Sequence, residues 1–123
     1  MLRIAHHPIY IHPLPEGHRF PMLKYDLIPM QLLHEGVVTK ESFFEPELLD
    51  FASACLAHSE AYVRALFELR IDSKMQRRIG FPLSEALVNR ERVIADGTIK
   101  SALFALADGI SFNTAGGTHH AGY

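Results

Sequence analysis

Ile110-Ser111-Phe112-Asn113-Thr114-Ala115-Gly116-Gly117-Thr118-His119-His120-Ala121 is the stretch that decides the fold. Its first five residues alternate apolar and polar, the period-two pattern of a strand. Two glycines follow, and then two adjacent histidines. A strand that runs into a glycine turn puts both imidazoles at the strand's carboxyl end, where open α/β sheets keep their ligand sites. The glycines permit a tight turn and a close ligand approach. Paired neutral imidazoles can accept and return a proton near neutral pH, because an unperturbed histidine titrates near ~6.5.

Upstream, Asp108-Gly109 closes a helix that Thr98 is expected to cap. Ile99, Ala102, Leu103 and Leu106 share one face of it. Ala102, Ala105 and Ala107 keep that helix thin enough to lie close on a sheet. Before it, Ser84 caps a helix expected to run through about Ile94 and to end at Asp96-Gly97. Residues 72–80, with Lys74, Arg77 and Arg78, read as a solvated loop, too short a basic run for a polyanion partner. Ser59 caps a helix over Glu60 to Leu69, with Tyr62, Val63, Leu66 and Phe67 on its buried side. Ala54-Cys55-Leu56-Ala57-His58 is either a short buried strand or a helix end. Cys55 reads as a small buried hydrophobe rather than a nucleophile, which would need a histidine partner and a thiolate-favouring setting. Glu45-Pro46-Glu47-Leu48-Leu49 reads as a short helical turn with acids at its start.

The N-terminal third differs in texture. Leu2-Arg3-Ile4-Ala5 suits a first strand. Five of the seven prolines (Pro8, Pro13, Pro15, Pro21, Pro29) fall in the first 29 residues, so an ordered surface loop is expected around Pro13-Leu14-Pro15-Glu16-Gly17. His6, His7, His12 and His18 lie there without the i, i+4 spacing of a helical metal motif, and read as loop histidines. From Pro21 to Glu35 the recurrence of Met22, Leu23, Leu27, Met30, Leu32 and Leu33 predicts a helix, kinked or interrupted at Pro29 and stopped at Gly36. His34-Glu35-Gly36-Val37-Val38 begins like a metalloprotease helix, but Val38 stands where the second histidine is required.

The bulk numbers bound the function. The 123 residues suit one domain, residues 1–123 as a single unit. A net charge of -2 makes no case for nucleic acid or an anionic membrane. No apolar run is long enough to span a bilayer, and Met1-Leu2-Arg3-Ile4-Ala5-His6-His7 is no secretory signal, so a cytoplasmic location is expected. One cysteine excludes an internal disulfide and any multi-cysteine metal site. Eight histidines in this length are the compositional hint of metal or acid–base chemistry.

Four stretches in order resemble the histone deacetylase superfamily, in particular bacterial members close to the class IV deacetylases. They are His12-Pro13-Leu14-Pro15-Glu16-Gly17-His18-Arg19-Phe20-Pro21-Met22, then Leu56-Ala57-His58-Ser59-Glu60-Ala61-Tyr62-Val63, then Arg78-Ile79-Gly80-Phe81-Pro82-Leu83-Ser84. The last is Gly97-Thr98-Ile99 followed by Gly116-Gly117-Thr118-His119-His120-Ala121. The resemblance implies an α/β chain, the N-terminal portion of a doubly wound arginase/deacetylase-type fold, helix-rich with few short strands. It covers nearly all of this chain but only the first part of the family domain.

The chemistry the resemblance implies is zinc-dependent hydrolysis of an acetylated amine, with a metal-bound water attacking the acetamide carbonyl. His119 and His120 would be the proton-transfer pair, His120 the main carrier. Gly116 and Gly117 would shape the loop beside the metal and the acyl-lysine channel. Arg19 would line an internal cavity behind the site, or else be an ordinary buried arginine paired to a carboxylate or to backbone carbonyls. The family's zinc ligands, two aspartates and a histidine, come after the histidine pair, so none is expected within this chain and no family-style metal site of its own. Alone, it is expected to be inactive, short of partners for its sheet, and prone to self-association or to rearrangement away from the family topology. The alternative is a non-catalytic, self-associating half-domain with a binding or structural role. Acetylated protein and small acylated amines both remain open as substrates of the intact domain; no nucleic acid or membrane partner is expected.

Overall fold

The computed structural model describes residues 1–117. Three short strands, β1 (Arg3–Ala5), β2 (Phe43–Phe44) and β3 (Ser111–Asn113), form a wholly parallel sheet in the order β2-β1-β3. Ile4 pairs with Phe43 on one side and Phe112 on the other. Parallel neighbours need crossover connections. The first crossover carries α1 (Lys24–His34). The second carries α2 (Phe51–Ala54), α3 (Glu60–Phe67), α4 (Ser73–Ile79) and α5 (Glu85–Asp108). The chain is therefore α/β, with the first strand central and its successors on opposite sides.

The long helix α5 organises the core. Ser84 caps it by accepting the Leu87 N–H, and Gly109 ends it at φ 94°. Leu87, Val88, Val93 and Ile94 are buried along its first half, each contributing ~1.5–3 kcal/mol of transfer free energy. The main apolar cluster is Tyr10, Met22, Tyr25, Val93, Ile94 and Ala115, with Ile9, Leu14 and Phe20 packed against it. It sits at the carboxyl end of the sheet, where the N-terminal loop meets α5.

Several sequence expectations need correction. The two helices expected on either side of Asp96-Gly97 are one, because Gly97 is buried in the middle of α5 and serves close packing rather than termination. Gly97, Ser101 and Ala105, at i, i+4 and i+8, make a small-residue stripe on this helix. Ser101 Oγ donates to the Phe112 carbonyl at 3.0 Å. Consequently Ile99, Leu103 and Leu106 face outward, exposed by 46%, 61% and 85%.

Residues 73–79 are a helix, not a loop. Asp72 accepts the Met75 N–H at 2.8 Å, and Gly80 closes the helix in the left-handed region. The segment after β2 is not helical. Leu49 exchanges hydrogen bonds with Arg92, and the Glu47 N–H donates to Asp96 at 2.7 Å, so α5 claims its backbone groups. The 54–58 run is the end of α2 and the turn after it.

Helix α1 runs through Pro29 without a break. It buries Tyr25 and Pro29, half-buries Leu32 and Leu33, and leaves Leu27 and Met30 exposed. The capped α3 agrees with its sequence signature: Ser59 Oγ accepts the Tyr62 N–H, and Val63 is buried. Among the described residues no helix is long and apolar enough to cross a membrane.

Candidate functional site

The order β2-β1-β3 reverses between the paired strands β1 and β3, and the crevice outside the carboxyl ends at such a switch point is where open sheets hold ligands. A cleft of about 430 Å³ lies there. One wall is Phe20, Lys24, Tyr25 and Ile28, from the proline-rich loop and α1. The other is Asn113, Thr114, Ala115, Gly116 and Gly117, the strand exit itself.

The exit of β3 is fastened residue by residue. The Asn113 side chain receives the Tyr10 hydroxyl at 2.8 Å and the Ala115 N–H at 3.3 Å. The Thr114 N–H donates to the Ala5 carbonyl at 3.0 Å, and its hydroxyl reaches the same oxygen at 3.2 Å. His6 Nδ1 is 2.9 Å from Thr114 Oγ1. When the hydroxyl proton is spent on Ala5, His6 donates through Nδ1–H, as a neutral ring can. Burial holds the His6 pKa below the ordinary histidine value, against the opposing pull of Asp26 and Glu45. Tyr10 and Phe43 rings stand edge-on to it. Burial also pushes the Tyr10 phenol upward, so it remains a proton donor. Gly116 and Gly117, beyond these ties, are exposed in the cleft.

The opposite wall is aromatic and carries one cation. Lys24 Nζ lies 5.0 Å from the Phe20 ring centre and 5.2 Å from that of Tyr25. His18 links this wall to the loop before α5. Its Nε2 donates to the Gly80 carbonyl at 3.1 Å, its Nδ1 accepts the Phe20 N–H at 3.2 Å, and its ring stacks on Phe81. Two of the stretches singled out in the sequence, 12–22 and 78–84, are thereby brought into contact.

The structure places Gly116 and Gly117 in the cleft. His119 and His120 lie outside the described residues. Arg19 is exposed in this chain. The arginine the fold buries completely is Arg90 on α5. Its Nε donates to the Tyr10 carbonyl at 2.7 Å, its Nη1 to Glu91 at 2.6 Å, and its guanidinium lies 5.0 Å from the Tyr25 ring centre. Its sequence signal is a charge at Leu87 + 3 and Ile94 − 4, on the apolar face of the helix. Asn113 and Tyr10 were likewise legible only as a strand polar residue and a loop aromatic. Cys55 is half-buried rather than buried. Among the described residues no three His, Cys, Asp or Glu side chains come together to hold a metal ion.

No protein-family model matches the chain. It is similar to an uncharacterized protein of Picosynechococcus sp., with 45% identity over 118 residues. The match takes in 96% of this chain and 39% of that protein, so the chain spans about two-fifths of the length of the relative.

Proposed function

We propose that this chain is the N-terminal part of a zinc-dependent deacetylase that hydrolyses acetyl-lysine or a similar acylated amine, acting in the cytoplasm. The reading extends the α/β sheet to the doubly wound deacetylase-type fold. The observation that carries it is the position of Asn113–Gly117. The turn that leads to His119 and His120 leaves the carboxyl end of β3 at the switch point, beside the wall built from the His12–Met22 stretch. A relative more than twice as long is consistent with a domain that continues past the histidine pair.

In this reading His120 accepts a proton from the attacking water and returns it to the leaving amine, and His119 orients and balances charge. Gly116 and Gly117 keep the turn bare of side chains, so an extended acyl-amine can lie along it. Phe20 and Ile28 offer apolar surface to its aliphatic part. Zinc, when bound, would supply Lewis-acid polarisation of the carbonyl. The described residues contain no ligand set for it, so the metal would be held by other residues of the intact domain, and this chain alone would be inactive.

A second reading has its own observation. Leu103 and Leu106 on α5, and Ile110 and Phe112 at β3, are apolar and exposed. Such a surface suits a half-domain that self-associates and serves a binding or structural role.

Acetate release from an acetyl-lysine peptide and from an acetylated polyamine tests the first reading, using this chain alone and within the longer protein, each with zinc. Release only by the longer protein, lowered by ~10²–10⁴-fold in His120→Ala, is the expected result. A zinc-loaded longer protein that releases acetate from neither substrate overturns it.

A further inference from the structure

We infer that Asn113, oriented by Tyr10 and accommodated by Gly97, is a positioning residue that sets the turn Thr114–Gly117 relative to α5. The inference rests on the proposed deacetylase reading only for the chemistry that this turn serves.

A side-chain amide has two acceptor positions on oxygen and two N–H donors. Asn113 uses all of them. Its Oδ1 accepts from Tyr10 Oη at 2.8 Å and from the Ala115 N–H at 3.3 Å. Its Nδ2 donates to the Ile94 carbonyl at 2.9 Å and to Thr98 Oγ1 at 3.1 Å. Rotating the amide by half a turn would set its NH2 against the Ala115 N–H and its oxygen against the Ile94 carbonyl. Each unsatisfied buried group of that kind costs ~1–3 kcal/mol. One orientation therefore prevails, and it ties together the N-terminal loop, the middle of α5, and Ala115, two residues past the strand.

The arrangement needs a gap in the helix. A β-carbon at Gly97 would lie 2.7 Å from Tyr10 Oη and 2.8 Å from Asn113 Nδ2. Gly97 thus leaves the space in which the phenol and the amide meet. The neighbouring tie, His6 to Thr114, fixes the next residue to β1. The strand exit is held at 113, 114 and 115, and released at Gly116 and Gly117, which line the cleft. Asn113 also lines it, but its four bonds are all to protein, so it acts through the turn.

A residue that only stabilised the core would, when removed, loosen α5 and the turn together. Amide exchange followed residue by residue in the 123-residue chain separates the cases. Asn113→Ala should speed exchange at Ala115, whose N–H it binds, by about ten-fold relative to the α5 amides, the factor that one lost hydrogen bond implies. Tyr10→Phe keeps the ring and removes one bond, so it should give a smaller change of the same sign, and it decides the matter if Asn113→Ala fails to fold. Uniform loosening of α5 and of the segment after β3, or unchanged exchange at Ala115, overturns the inference. This readout involves neither zinc nor acetate release, so failure of the deacetylase reading would leave this result standing.

Discussion

Gly97 and Tyr10 meet so closely that a single methyl group would not fit between them: a β-carbon at Gly97 would come within 2.7 Å of the phenol oxygen, and within 2.9 Å of Pro46 Cγ. Alanine is the better helix former by ~1 kcal/mol, yet the collision is with three packed neighbours. Gly97→Ala is expected to destabilise the chain by ~1–3 kcal/mol net. Urea unfolding measures this. A neutral or stabilising alanine would mean that α5 is not pressed against Tyr10 and Asn113.

Arg90 is a second lock on the same loop. Its planar guanidinium holds the Tyr10 carbonyl and Glu91 at once while facing Tyr25. A lysine ammonium cannot serve those directions together. Arg90→Lys is expected to cost ~1–3 kcal/mol, chiefly through the buried Tyr10 carbonyl left without its donor. Equal unfolding midpoints for the two proteins would show that the fork geometry contributes nothing.

His6 makes the fold acid-sensitive. Its pKa in the folded chain is below the ordinary 6.5, mainly through burial. The unfolded chain therefore binds the proton more readily. The stability that His6 contributes is whole above pH ~6.5 and is lost as pH falls from there through the folded value. His12 shifts in the same direction, through burial and the charge of Arg90. Burial moves the Glu91 carboxyl upward, which works oppositely. The urea midpoint is expected to fall between pH ~7 and ~5, and His6→Gln should flatten that fall. A His6→Gln profile parallel to that of the parent would remove His6 as its cause.

The outward leucines of α5 test self-association. Leu103→Glu with Leu106→Glu changes exposed positions, so stability should move by no more than ~0.5 kcal/mol per site. If the chain pairs through this face, sedimentation velocity should show an associated parent and a monomeric double variant. A parent that is monomeric throughout would remove the self-associating reading.

The local signals that were legible are those carried by neighbouring residues. Ser59 and Ser84 announce helix starts because the capping acceptor and the N–H it satisfies are three residues apart. Asp108-Gly109 announces a stop for a similar reason. The strand at 111–113 was readable from alternation. Gly97 was misread because Asp-Gly at a helix end and glycine at a close packing point look alike in one dimension. Residues 72–80 were misread because their charge suggested solvent, although Asp72 and Gly80 carried the cap and the stop.

By itself the sequence determined where α3 and α5 begin, where α5 ends, and that a glycine pair follows the last strand toward two histidines. Those are short-range matters of dihedral preference and local hydrogen bonding. Only the tertiary structure decided which arginine is enclosed, which amide clamps the strand exit, and which leucines are left to solvent. Arg19 and Arg90 are the same residue type, and their difference is whether Tyr10, 80 positions from Arg90 in the chain, brings a carbonyl to the guanidinium. Asn113 reaches Tyr10 across 103 positions. Such contacts form because the parallel order β2-β1-β3 brings the first strand beside the last, and α5 lies close enough on the sheet for a glycine to matter.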